Sequence, residues 1–354
     1  MVRSTRVLLA LTLLLLTVLS VTLAPTPAPA GEKVKLTMFI WAGANQGVVP
    51  REVVAEYLKT HPDVEIEFLE SNNTVTYPKM VATKKVTPDK PLVNFGYFNV
   101  DASAQGDIDD MWLPIDPKNV PHMKDLIPSM RRKGDVGVGY GVTAIGVMYN
   151  KNLVKEALTS WSALWDPKYR VTFFDGDWRP LIMAARANGG DESNIDPGFK
   201  VWTQNAKNIV ALATSNDQVK NMVVSGEAHV APWFRSIQSV WEKEGAPLGF
   251  AVPKEGMVAW PIYLQIAKGT TPAQKKVAEE IMNELLAPKW NGRYCDLTNR
   301  APGNRNAKLG KDFESDPVYS KKNMEELINL DWTTISRNQQ TWYERWAREV
   351  KRKM

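Results

Sequence analysis

Three histidines, His61, His122 and His229, are all the imidazole the chain carries, and they lie far apart in sequence. A Ser-His-Asp triad or a zinc cage is hard to assemble from so few. The chain has no Gly-x-Ser-x-Gly elbow, no His-Glu-x-x-His helix and no glycine-rich phosphate loop ending in Lys-Ser or Lys-Thr. Asp109/Asp110 and Asp175/Asp177 supply the residue type a glycosidase needs, but that chemistry also requires a defined carboxyl separation, which spacing along the chain does not establish. They read as surface or capping carboxylates, and His229 reads as structural. The chain is expected not to be an enzyme and to need no cofactor or metal.

The aromatic residues are more informative. Thirteen tryptophans are present, and Trp41, Trp178, Trp233 and Trp260 fall where a strand pattern stops. In open α/β sheets ligands collect beyond the carboxyl ends of strands, and flat rings there can sandwich a sugar, an amine or an alkyl chain. Trp112, Trp161, Trp165, Trp202, Trp290, Trp342 and Trp346 read as core.

The elements that must position these rings alternate in kind. Val34, Leu36, Met38 and Ile40 have the period of a strand ending at Trp41, Val53 to Leu58 has helical spacing, and Val64 to Leu69 alternates again. Further strands are expected at Leu92 to Phe98, Val136 to Tyr149, Val171 to Asp175, Ala228 to Trp233, Leu248 to Val252 and Met257 to Ala267. Helices are expected near 77–85, 102–111, 178–188, 199–214, 217–224, 237–244, 271–286, 324–330 and 336–351. Strand-helix alternation of this kind predicts open α/β sheets flanked by helices. With 354 residues the chain is long enough for two lobes and a cleft between them.

Arg3 and Arg6 precede the apolar run Val7 to Leu23, and Ala28-Pro29-Ala30 follows. That is the layout of an export signal cleaved near Ala30. Without residues 1–30 there remain 42 basic and 39 acidic side chains, too weak a field to argue for nucleic acid. The lone Cys295 cannot form an internal disulfide and reads as a small buried apolar residue.

Four segments then carry a resemblance: Ser160-Trp-Ser-Ala-Leu-Trp-Asp-Pro-Lys-Tyr169, Gly146-Val-Met-Tyr-Asn150, Ser225-Gly-Glu-Ala-His-Val-Ala-Pro-Trp233 and Val252-Pro-Lys-Glu-Gly-Met-Val-Ala-Trp260. In type and order they resemble the periplasmic solute-binding proteins of ABC importers, in particular the group containing spermidine- and putrescine-binding proteins. The resemblance implies the two-lobe periplasmic-binding-protein architecture of the class II type. After the leader of residues 1–30, one lobe would comprise 31–139 with 259–304, and the other 140–258 with 305–354. It also implies a monomeric periplasmic protein that closes on one small solute and hands it to a membrane permease.

By the same resemblance the ligand-contacting positions are Trp41, Asn99, Asp101, Tyr140, Thr143, Asp177, Trp178, Arg179, Trp233 and Trp260. At one place the chain departs from the pattern: polyamine binders carry an ammonium-holding Asp two residues after the last Trp, and here that residue is Ile262. Asp101 or Asp177 would have to take that role, while Arg179, Arg235 or Arg300 could receive an anionic group. A small organic amine is the expected solute, with a zwitterion, an organic anion or a sugar as alternatives, and an exported hydrolase as the rival class.

Overall fold

The structure, a computed structural model, describes residues 33–43, 45–127 and 130–354; the expected leader and its cleavage site lie outside them. Eleven strands are present among these residues. They are β1 (Val34–Trp41), β2 (Val64–Ser71), β3 (Phe95–Asn99), β4 (Trp112–Leu113), β5 (Val138–Asn150), β6 (Val171–Phe174), β7 (Ile209–Ala213), β8 (Val230–Phe234), β9 (Leu248–Ala251), β10 (Val258–Ala267) and β11 (Ala301–Pro302). The main path runs β2-β1-β3-β10-β5-β8-β6-β7. β1 pairs parallel with β2 and β3, and β6 parallel with β7 and β8, so each half has the parallel character the alternating pattern predicts.

The two halves meet on β5. Its first part pairs with β10, its last part with β8 and β9, and Ile145 belongs to both, opposite Val258 on one side and Phe234 on the other. Gly146 follows at this joint because a Cβ there would stand 2.6 Å from the carbonyl oxygen of Ala251. Apolar side chains of the first half, including Met38, Phe95, Tyr97, Leu264 and Ile281, form one core; Trp161, Ile182, Phe199, Trp202 and Trp346 anchor the other. These cores define lobe 1 and lobe 2.

Helices cover both faces: α1 (Val48–Leu58), α2 (Asn73–Val86), α3 (Val100–Ile108), α4 (Arg179–Ala187), α5 (Asp196–Asn205), α6 (Asn216–Ser225), α7 (Arg235–Lys243), α8 (Pro272–Leu286), α9 (Pro288–Thr298) and a C-terminal helix, Trp332–Glu349. Local chemistry fixes several ends. Thr271 and Gln274 form a reciprocal capping box at α8, and Asn99 caps α3 by accepting a 2.9 Å bond from the amide of Ala102. Gly226 ends α6 in the left-handed conformation, φ 82°.

Two expectations change. The single helix expected over 199–214 is α5 followed by β7, because the run Ile209-Val-Ala-Leu-Ala213 pairs parallel with β6. The expected helix at 324–330 is instead a short helix, Lys321–Glu325, and an extended stretch in which Ile328 bridges Val258. Phe313, Val318, Tyr319 and Leu327 pack into the core of lobe 1, and Leu330, Ile335, Trp342 and Trp346 into that of lobe 2.

Candidate ligand-binding cleft

A cavity of about 510 Å³ lies where the lobes face each other. Thr74 and Asp101 come from lobe 1, while Asp177, Trp178, Arg179 and Phe234 come from lobe 2. Trp260 enters from the crossing strand β10, and Trp332 and Gln339 from the C-terminal helix. Its volume falls in the range that holds small-molecule ligands. A smaller hollow of about 270 Å³, lined by Asn99 and Gln105, shares Asp101 and Gln339 with it. A slightly larger hollow of about 560 Å³ lies between α1, α8 and α9, but its wall belongs to lobe 1 alone, so filling it gives no reason for the lobes to close.

Strand and helix ends aim the polar groups. β3 stops at Asn99, and Asp101 stands in the first turn of α3, where the helix dipole favours an anion. Asp101 is exposed to water in the cleft, with the walls of both lobes around it. That enclosure pushes its pKa up to about 6, with Arg179 pulling it down and Asp177 pushing it up by smaller amounts.

Across the cleft, Asp177 and Arg179 form a buried fork. Nε bonds Oδ1 at 2.6 Å and Nη2 bonds Oδ2 at 2.6 Å, with the side chains 5% and 4% exposed. The guanidinium lies 4.7 Å from the Phe234 ring centre and 5.2 Å from that of Trp260, and its Nη1 is buried without a partner. Trp260 stands edge-on to Phe234 at 5.5 Å and to Trp332 at 5.0 Å. Arg179 therefore occupies the aromatic box from one side, and Asp101 is the cleft carboxylate that no ion pair holds among the described residues.

Of the ten positions read from sequence, Asp101, Asp177, Trp178, Arg179 and Trp260 line this cavity, and Asn99 lines the smaller hollow. Trp41 is half-buried at the end of β1, edge-on to Tyr97 at 6.3 Å. Tyr140 is fully buried between Tyr97 and Tyr294, with ring centres 5.5 and 4.1 Å away. Thr143 is buried and accepts from the amide of Ser236 at 3.2 Å. Trp233 is fully buried in lobe 2 and stacks on Trp241 at 5.6 Å. Its neighbour Phe234 takes the wall instead, as the alternation of a strand requires. Phe234 and Trp332 were not singled out from sequence; the strand period points to the first, and no local signal marks the second.

Of the other two arginines read as anion receivers, neither lines the cavity: Arg235 is held by Asp316 at 2.8 Å and Glu242 at 3.4 Å. Arg300 is partly buried, above the Trp41 ring. Among the described residues no cluster of His, Cys, Asp and Glu could hold a metal ion, and no helix is long and apolar enough to cross a membrane.

Residues 52–321 match the family model described as bacterial extracellular solute-binding protein. The spermidine/putrescine-binding periplasmic protein 1 of Haemophilus influenzae is 27% identical over 320 residues, covering 86% of each chain. Among solved structures, an ABC transporter protein from Clostridium perfringens superposes with a TM-score of 0.77 at 19% identity, covering 89% of this chain and 99% of that one. A spermidine/putrescine ABC transporter substrate-binding protein from Streptococcus pneumoniae gives 0.70 at 16% identity, covering 89% and 99%. These likenesses show the two-lobe binding-protein fold.

Proposed function

The chain belongs to the bacterial extracellular solute-binding proteins, and from that premise we propose that it captures one small organic amine in the cleft between its lobes and delivers it unchanged to a membrane permease. As the solute-binding component of an ABC transporter it performs no chemistry on its cargo; it works in the periplasm, as a monomer, and without nucleic acid. One observation carries the reading: a single cavity is walled by both lobes and combines an unpaired carboxylate, Asp101, with the rings of Trp260, Trp332 and Phe234. An ammonium needs a carboxylate to offset its desolvation and gains further from aromatic faces. The relative from Haemophilus influenzae, named for spermidine and putrescine, supports the amine class.

Closure follows from the placement. A solute touching Asp101 on lobe 1 and Trp260 and Phe234 on the opposite wall favours the closed arrangement by its extra contacts there. A thermal-shift screen of amines, amino acids, sugars and phosphonates tests this. A true ligand at about 100-fold over its dissociation constant adds about 2.7 kcal/mol to stability. Asp101→Asn removes the shift for amines. A screen in which sugars shift the transition and no amine does would contradict the proposal, as would turnover of a glycoside or ester by the purified chain.

A further inference from the structure

A second, smaller hollow lies behind the wall that Trp332 gives to the cleft. Its volume is about 250 Å³, against about 510 Å³ for the cleft cavity, and among the described residues Trp332 is the one that lines both. Val100 and Ala104 flank Asp101 on α3 but face this rear hollow, with Tyr263 of β10 beside them and Leu330 opposite. Its acids are already engaged: Asp107 pairs with Arg132, which lies 5.2 Å from the Tyr263 ring centre, and Asp331 accepts from Thr334. What the hollow offers a solute is therefore apolar surface from Val100, Ala104, Leu330 and the Tyr263 ring.

The chain holds the partition from its base. The backbone amide of Asp331 donates to Oε1 of Glu192 at 3.0 Å, and Glu192, buried between α4 and α5, takes Nη2 of Arg186 on both its oxygens at 2.9 Å. The Asp331 carboxylate caps the C-terminal helix, accepting from the Thr334 amide at 3.0 Å and from its hydroxyl at 2.6 Å. Trp332 is thus the first residue of a helix whose start is pinned to lobe 2, and its ring rests edge-on against Trp260 at 5.0 Å. An indole fixed at its backbone and braced by a neighbouring ring is a wall, not a swinging lid.

Resting on the reading of the cleft as an amine site, we infer that Trp332 sets the length of the solute: the carbon chain that starts from an ammonium at Asp101 ends at the indole, which denies it the rear hollow. The solute is a short amine, and Trp332 is the residue that excludes longer ones. Each further methylene that a site buries tightens binding about fourfold, so the place where that gain stops along a series of amines measures the distance to the wall.

Isothermal titration of the purified full chain with primary n-alkylamines from propylamine to decylamine tests the assignment. In the parent chain affinity rises with length and then stops rising where the alkyl chain meets the ring. In Trp332→Ala the two cavities become one, the rise continues for at least two more methylenes, and amines beyond the parent's limit bind at least tenfold tighter than they bind the parent. Trp332→Leu lowers the wall without emptying it; it moves the limit in the same direction and repeats the series should the Ala variant not fold. The same limit in the parent and the variants, a rise that continues to ten carbons in the parent, or a uniform loss for short and long amines alike overturns the inference and leaves the amine cleft standing. If no amine of any length binds the parent, the reading of the cleft falls and the inference falls with it.

Discussion

Removing one member of the Asp177/Arg179 fork exposes how the cleft wall is held. The carboxyl of Asp177 takes two charge-assisted bonds of 2.6 Å from the guanidinium and a third, at 3.0 Å, from the backbone amide of Arg179. Asp177→Ala therefore leaves a guanidinium only 4% exposed without its counter-charge. Breaking a buried pair from one side costs about 3–5 kcal/mol. Unfolding entropy of about 2.1 cal/mol/K per residue over roughly 320 residues gives about 0.7 kcal/mol/K, so the melting temperature falls by about 4–7 °C. Replacing both partners by apolar residues, Asp177→Ala with Arg179→Met, leaves no stranded charge and recovers most of that loss. Differential scanning calorimetry of the four proteins in the cycle, without ligand, measures the coupling directly. A single variant melting within about 1 °C of the parent, or a double variant no better than the single, refutes the claim that a buried ion pair locks this wall.

Three further outcomes follow from the setting of Asp101 and of Gly146. An ammonium requires Asp101 ionised, and with its pKa near 6 only about 9% of that carboxyl is ionised at pH 5, so the dissociation constant for an amine solute rises about tenfold between pH 7.5 and pH 5. In Asp101→Asn the same titration is weak and flat with pH. The sign for the ligand-free fold is opposite: the folded state holds the Asp101 proton more tightly than an unfolded aspartate, so this group's contribution to stability declines as pH rises from about 4 to about 6. Gly146→Ala sets a Cβ 2.6 Å from the Ala251 carbonyl and 2.8 Å from the Phe250 ring at the joint of the lobes. Overpacking of this kind costs about 1–3 kcal/mol, read as a melting temperature about 2–4 °C lower.

Much of this arrangement is written in local patterns. β1, β2 and β8 alternate or cluster apolar residues strongly enough for their strands to be read directly, and the Gly226 stop and the Thr271 start are set by neighbours within four residues. The sequence predicts helix where β7 forms because Ile209 to Ala213 is apolar at a spacing that suits a helix as well as a buried strand; the pairing with β6 decides, and that partner is remote in sequence. The same limit governs the cleft. Trp260, Arg179 and Asp101 stand at element ends, which sequence marks, whereas Trp332 reaches the cavity only because the C-terminal helix folds back over lobe 2. Trp233 has the residue type of a ligand contact but points into the core, and one step along the strand Phe234 faces the cleft. Whether Arg300 is paired is likewise a tertiary fact, since any acid that could hold it would come from elsewhere in the chain.

The central claim is that two lobes close on one small amine and release it unaltered. Small-molecule mass spectrometry of the material that denaturation releases from the purified chain, after exposure to a mixed pool of metabolites and removal of the excess, tests it directly. The account predicts a single amine at one molecule per chain, its mass identical to that in the pool, and its loss from the Asp101→Asn, Trp260→Ala double variant. An empty chain, a chemically altered molecule, or equal retention by the double variant would contradict it.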